Sequence, residues 1–337
     1  MSTLATDPLR TEISTDWRAS LRDALRTPDE LLEYLELSPE QRAALDACDH
    51  DFAQLVPRGF AARMRKRDAH DPLLRQVLPI ARERETVAGF STDPLAETEI
   101  SRNGVLRKYA GRALLIATAA CPIHCRYCFR RHFPYTDQTA ARDEWQTAVA
   151  TLADDREITE VILSGGDPLS LSNRRLGNLV DQLDGLEHLD TLRIHTRFPI
   201  VLPERIDTGL LELLATTRLE TVLVVHCNHA QEIDESVVTA LENLRGAGVI
   251  VLNQSVLLSG INDEAETLVE LSRRLFAAGV LPYYLHELDR VAGAAHFAVE
   301  TSRALELIES IRERLPGYLV PRLVRETPGT LSKTVLR

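Results

Sequence analysis

From Gly104 onward the chain repeats one pattern: a short apolar, often β-branched run, then an amphipathic stretch. The runs are RALLIAT (112–118), TEVILS (159–164), TLRIHT (191–196), TVLVVH (221–226), VIVLNQSVLL (249–258), PYYLHEL (282–288) and YLVPRLV (318–324). Between them lie NRRLGNLVDQL, ESVVTALENLRGAG, EAETLVELSRRLFAAG and TSRALELIESIRERL, with apolar residues at helical spacing. Alternation at roughly thirty-residue intervals marks parallel strands joined by covering helices, because a parallel crossover needs a helix's length of chain. No dinucleotide fingerprint follows any run, so an α/β fold built as a full or partial (β/α) barrel is predicted over a doubly wound sheet. In such a barrel the strand C-termini converge on one mouth, and the unusual residues of this chain fall at those ends.

Residues 1–100 read as an N-terminal helical region, 101–325 as the barrel and 326–337 as a short C-terminal segment. Thr27-Pro28-Asp29-Glu30 and Ser38-Pro39-Glu40-Gln41 both have capping-box spacing with proline at the first helical position. The basic stretch RMRKR (63–67) reads as a solvated helix face, with a docking surface as the weaker alternative. The first residues, MSTLATDPLRTEISTDW, carry early acids and no apolar core of a leader, so a cytoplasmic protein is expected. A net charge of −11 disfavours general nucleic-acid binding, and no apolar run is long enough to span a bilayer.

The chain has five cysteines, and three of them fall in ACPIHCRYCFRRHFPY (120–135), directly after the first strand. Cys121, Cys125 and Cys128 follow C-x3-C-x2-C. In a reducing compartment, clustered thiols point to metal binding or catalysis, not to disulfides. Zinc normally wants four protein ligands, and His132 would have to be the fourth. An iron–sulfur cluster held by three cysteines leaves one iron open to a substrate or cofactor. Cys48 and Cys227 lie outside the spacing and read as small apolar residues.

The triad, with Tyr127 before its last cysteine and its place at a strand end, resembles the radical S-adenosylmethionine (SAM) superfamily. That resemblance implies a [4Fe–4S] cluster on Cys121, Cys125 and Cys128, and SAM bound to the open iron. A reducing electron donor would drive SAM cleavage to a hydrogen-abstracting 5′-deoxyadenosyl radical. It also implies SAM contacts from Gly165, Gly166 and Asp167 of SGGDP and from His226 and Gln254 at later strand ends, where Asn253 adds a further polar group. Two glycines at a strand end would let a ligand approach the backbone.

CRYCFRRHF, SGGDPL, LNQSVLLSGIND, PYYLHELD and ETPGTLSKT together resemble the lysine 2,3-aminomutase family, from about residue 85 to 333. The family is an isomerase family that uses pyridoxal 5′-phosphate (PLP) with SAM and the cluster. The resemblance implies that Lys333 is the PLP lysine, chosen among Lys66, Lys108 and Lys333, with Tyr109 beside the ring and Arg112 on the phosphate. Lys108 stands where catabolic relatives carry arginine. Arg130 corresponds to the residue that grips the carboxylate of L-lysine, and Asp289 and Glu326 to acids that bind its distal ammonium. Two acids around one ammonium would select lysine, because a neutral or acidic side chain would leave buried charge unpaired. The chain stops four residues after Lys333. That short ending resembles the bacterial subgroup that makes β-lysine for modification of elongation factor P, with a lysyl ligase as a functional partner. The alternatives are a radical SAM enzyme without PLP, such as a dehydrogenase or peptide-modifying enzyme, and a zinc-stabilised interaction module.

Overall fold

The computed structural model describes residues 16–135 and 140–337; the expectation drawn from residues 1–17 lies almost wholly outside them. Among the described residues, ten strands form one open sheet in sequence order: β1 (Ser101–Arg102), β2 (Val105–Tyr109), β3 (Arg112–Thr118), β4 (Glu160–Gly165), β5 (Thr191–Thr196), β6 (Glu220–His226), β7 (Ile250–Val256), β8 (Leu281–His286), β9 (Arg322–Arg325) and β10 (Thr334–Val335). Every pairing from β3 through β9 is parallel, whereas β1, β2 and β10 add antiparallel edges. The fold is therefore α/β with a partial barrel.

Helices cover the outer face at 173–184, 208–216, 235–246, 265–277 and 301–312. In two of them the buried positions are spaced i, i+3, i+4, i+7: Leu176, Leu179, Val180 and Leu183, then Val237, Ala240, Leu241 and Leu244. These join Leu192, Ile194, Leu223 and Val225 of β5 and β6 in one core. Each fully buried leucine contributes about 1.5–3 kcal/mol, and Leu179→Ala would cost about 2–5 kcal/mol because a cavity remains.

Two segments differ from their sequence reading. Lys108 and Tyr109 lie on β2, a strand outside the apolar runs of the sequence, folded back antiparallel on β3 through a turn with Gly111 at φ +74°. A short charged strand has no periodicity to reveal it. YLVPRLV enters the sheet only at Arg322, the start of β9 (Arg322–Arg325), because Pro321 has no N–H for the ladder.

Both N-terminal capping boxes form, on helices Pro28–Tyr34 and Pro39–Leu45, but the rest of this region consists of short turns and irregular chain. RMRKR lies beyond the helix Arg58–Ala61 and is not a helix face. Arg63 turns inward and donates to the Ile200 and Glu232 carbonyls, while Lys66 lies over the Tyr34 ring.

Candidate active site

Strand alternation sorts the side chains into two sets. On β5, Leu192, Ile194 and Thr196 are buried, while Arg193 and His195 are half-buried. On β7, Asn253 and Ser255 are buried, while Gln254 is half-buried. The half-buried set faces the lumen, and it is polar where a packed barrel would be aliphatic. His195 and His226 lie 5.9 Å apart, and His226 Nε2 is 2.7 Å from Gln254 Nε2. Burial pushes the His226 and His286 imidazoles down to about 3, so both are neutral. Asn253 points away from this space and bonds Cys227 N, Cys227 O and Ser255.

The cysteine loop closes one side of the mouth. It is held from the N-terminal region: Arg126, fully buried, pairs with Glu83 through two nitrogens, and Arg131 pairs with the same carboxylate. His124 N donates to Leu55 O, and Arg126 N to Gln76 O. Desolvation raises the Cys121 thiol well above its usual range and the Cys128 thiol up to about 11. Thiolates here need a cationic partner, which a metal centre supplies. Among the described residues no three His, Cys, Asp or Glu side chains converge on a single-ion position, and His132 contacts Ala292 O. Three thiols on one loop at a strand end are a donor set that an iron–sulfur cluster could take.

The SGGDP turn lies directly beneath. A Cβ on Gly165 would fall 2.7 Å from Thr118 O, and one on Gly166 2.5 Å from Ala120 O. Both residues are therefore glycine because two backbones cross here: Gly166 N donates to Thr118 O, and Asp167 N to Ala120 O. The buried Asp167 carboxylate accepts from Thr196 Oγ1, Arg197 N and Leu169 N, which locks the turn to β5.

A charge cluster joins the two ends of the open sheet. Glu326, just after β9, accepts from Lys333 Nζ and, at 2.6 Å, from Lys108 Nζ of β2. Burial would raise the Glu326 carboxyl, but the two ammonium groups outweigh it and hold the group far below the usual carboxylate range. Lys108 also pairs with Glu97 at 2.8 Å. Glu97 in turn receives Arg130 Nε at 2.6 Å and Nη2 at 2.9 Å, while Arg130 Nη1 donates to Ser164 at 3.0 Å. Three of the five guanidinium N–H groups are thereby used, leaving one on each terminal nitrogen, the pair that a carboxylate takes end-on. Asp289, beyond β8, stands in the same field: burial pushes its carboxyl up to about 7, Glu326 adds to the rise, and Lys333 and Lys108 oppose it.

A 4Fe-4S single cluster domain matches residues 110–195. The L-lysine 2,3-aminomutase of Escherichia coli (strain K12) is 47% identical over 97% of this chain and 96% of its own length. That of Haemophilus influenzae is 43% identical over 95% of each. The chain belongs to the L-lysine 2,3-aminomutase family. The Clostridium subterminale L-lysine 2,3-aminomutase is 33% identical over 95% of this chain and 77% of its own. Among solved structures, a radical SAM methyltransferase from Sphaerobacter thermophilus has a TM-score of 0.43 at 16% identity, over 66% of this chain and 68% of that one.

For an aminomutase of this family, the fit to PLP is testable on the donors present. Arg112 stacks 4.7 Å over the Tyr109 ring, and Tyr109 faces Glu326. Among the described residues, Arg112 Nε, His195 Nε2 and His286 Nε2 are buried with no hydrogen-bond partner. Orphaned donors and acceptors beside a lysine amine suit a ligand rich in phosphate and phenolate oxygens. Reading the sequence missed Glu97, His195 and the companions of the cysteine loop. The signal for His195 was present, since Arg193 and His195 share the polar face of an alternating strand.

Proposed function

We propose that the chain is a radical SAM, PLP-dependent L-lysine 2,3-aminomutase that converts L-lysine to β-lysine. The observation that supports this reading is a cysteine loop linked through Arg130 and Glu97 to a lysine–acid cluster of Lys108, Glu326 and Lys333, in a chain of this family. In the proposal Cys121, Cys125 and Cys128 hold a [4Fe–4S] cluster, and Gly165, Gly166, Asp167, His226 and Gln254 form the SAM side. Lys333, Tyr109 and Arg112 hold PLP. When bound, the cluster and SAM supply a hydrogen-abstracting radical and PLP supplies a π-system for the migrating nitrogen.

The chain's own residues have four tasks in this reading. The remaining terminal N–H pair of Arg130 takes the substrate carboxylate, with Glu97 and Ser164 fixing the plane of the guanidinium. Asp289 and Glu326 receive the distal ammonium. Lys333 pairs with Glu326, and a Lys333 amine committed to PLP would leave a Glu326 oxygen for the substrate ammonium. The apolar outer core and the clasp of Lys108 across the sheet edges keep bulk water from the lumen.

We place the site in a barrel spanning 101–325, with an N-terminal region 1–100 that braces the cysteine loop and a segment 326–337 that carries Lys333. We further propose a cytoplasmic enzyme with a reducing electron donor, whose β-lysine supplies modification of elongation factor P together with a lysyl ligase. That last link rests on the family resemblance of the sequence alone. Among the described residues, no helix is long and apolar enough to cross a membrane. Anaerobic protein, assayed for iron, sulfide, pyridoxal absorbance and β-lysine formation from L-lysine, tests the proposal. Cluster without pyridoxal, and no β-lysine, would leave only a PLP-free radical SAM enzyme.

A further inference from the structure

Cys125 is the only cysteine of the triad whose sulfur meets a charged side chain at hydrogen-bond distance among the described contacts: Arg197 Nη1 lies 2.7 Å from it. Arg197 follows directly on β5 and is 4% exposed. Its backbone N–H and both terminal nitrogens are held. Its backbone N–H is held by Asp167, Nη2 donates to Gln76 Oε1 at 2.8 Å and to Glu232 Oε2 at 3.0 Å, and its guanidinium lies 5.4 Å from the Phe60 ring and 5.8 Å from the Tyr127 ring. Glu232 is also constrained, since its Oε1 gathers Asn228 N, His229 N and Gln76 Nε2. The result is a buried cation aimed at one thiol, with its counter-charge on the far side.

We propose that Arg197 is a positioning residue that directs a charge-assisted N–H···S bond to Cys125 and thereby sets the reduction potential of the cluster. This rests on the cluster reading above. A donor on a thiolate ligand withdraws charge from sulfur and stabilises the reduced, more negative cluster; burial of the cation strengthens the effect. Glu232 offsets part of it. The two residues should therefore move the potential in opposite directions, which loosened packing alone does not do.

The test is a mediated dithionite titration of the anaerobically reconstituted holoenzyme, followed by electron paramagnetic resonance, with iron and sulfide counted in the same samples. In Arg197→Gln the one-electron reduction equilibrium should fall on the order of tenfold, a shift of ~59 mV to lower potential. Arg197→Lys keeps the charge but cannot serve Cys125, Gln76 and Glu232 at once, and should fall in between. In Glu232→Gln, whose amide oxygen can retain the contacts of Oε1, the potential should rise. Unchanged potentials in cluster-loaded Arg197→Gln and Glu232→Gln, or shifts of the same sign, overturn the proposal. If the Arg197 variants fold but take up no cluster, Glu232→Gln decides alone: a rise supports the proposal, and no rise overturns it. Absence of iron and sulfide from the unsubstituted protein would sink the cluster reading instead.

Discussion

Glu97 has the most to lose from one substitution. It is 2% exposed and is the shared counter-ion of Arg130 and Lys108. Glu97→Ala leaves Arg130 buried with Ser164 as its one remaining partner at this site, while Lys108 retains Glu326. Breaking a buried pair by deleting one member costs about 3–5 kcal/mol, because the surviving charge is desolvated and unpaired. The retained partner of Lys108 places the expected value at the lower end, about 3 kcal/mol. Glu97→Gln keeps an acceptor for one Arg130 nitrogen and should cost less, about 1–3 kcal/mol. Urea unfolding followed by circular dichroism measures both, and lysine KM measures the loss of guanidinium orientation, expected to rise about tenfold for each 1.4 kcal/mol of binding lost. A Glu97→Ala variant within about 1 kcal/mol of the parent, with unchanged KM, would refute the claim that this carboxylate fixes Arg130.

Replacing any one of Cys121, Cys125 and Cys128 with alanine should abolish the visible cluster absorbance and SAM cleavage, while Cys48→Ala and Cys227→Ala keep both; iron and sulfide analysis checks it. Borohydride reduction of the PLP-loaded protein should place the pyridoxyl group on Lys333, and Lys333→Ala should lose it; label on Lys66 or Lys108 would show another anchor. With its carboxyl raised to about 7, Asp289 binds protons more tightly in the folded state. Its contribution to stability is therefore full below the usual value of 3.8 and is lost as pH rises through about 7. In the proposed role Asp289 meets the lysine ammonium in its ionised form, so affinity should increase from pH 6 to 8 with proton release, and Asp289→Asn should flatten that profile in calorimetry.

The strands were the legible part of this sequence. RALLIAT and TLRIHT match β3 and β5 residue for residue, because β-branched runs bounded by helical periods leave little choice of element. The antiparallel edges were not legible: β1 and β10 have two residues each, too few for any period. At the site, the cysteines and Lys333 announce themselves by residue type and motif. Glu97, Gln76, Arg197 and Glu232 do not, since each acquires its meaning from a partner far along the chain, such as Gln76 from Glu232. The glycines of SGGDP were visible, but their cause was not. A sequence shows that a Cβ is missing, whereas only the crossing of two backbones shows what it would strike.

The central claim is a 2,3-amino migration on lysine carried by SAM-derived hydrogen transfer. L-lysine deuterated at C3, incubated anaerobically with the reconstituted enzyme, SAM, PLP and a low-potential reductant, tests it by mass spectrometry. The account expects β-lysine with deuterium transferred to C2 and shared with 5′-deoxyadenosine. Protein with full cluster and PLP that yields no β-lysine, or yields it without label in 5′-deoxyadenosine, would contradict it.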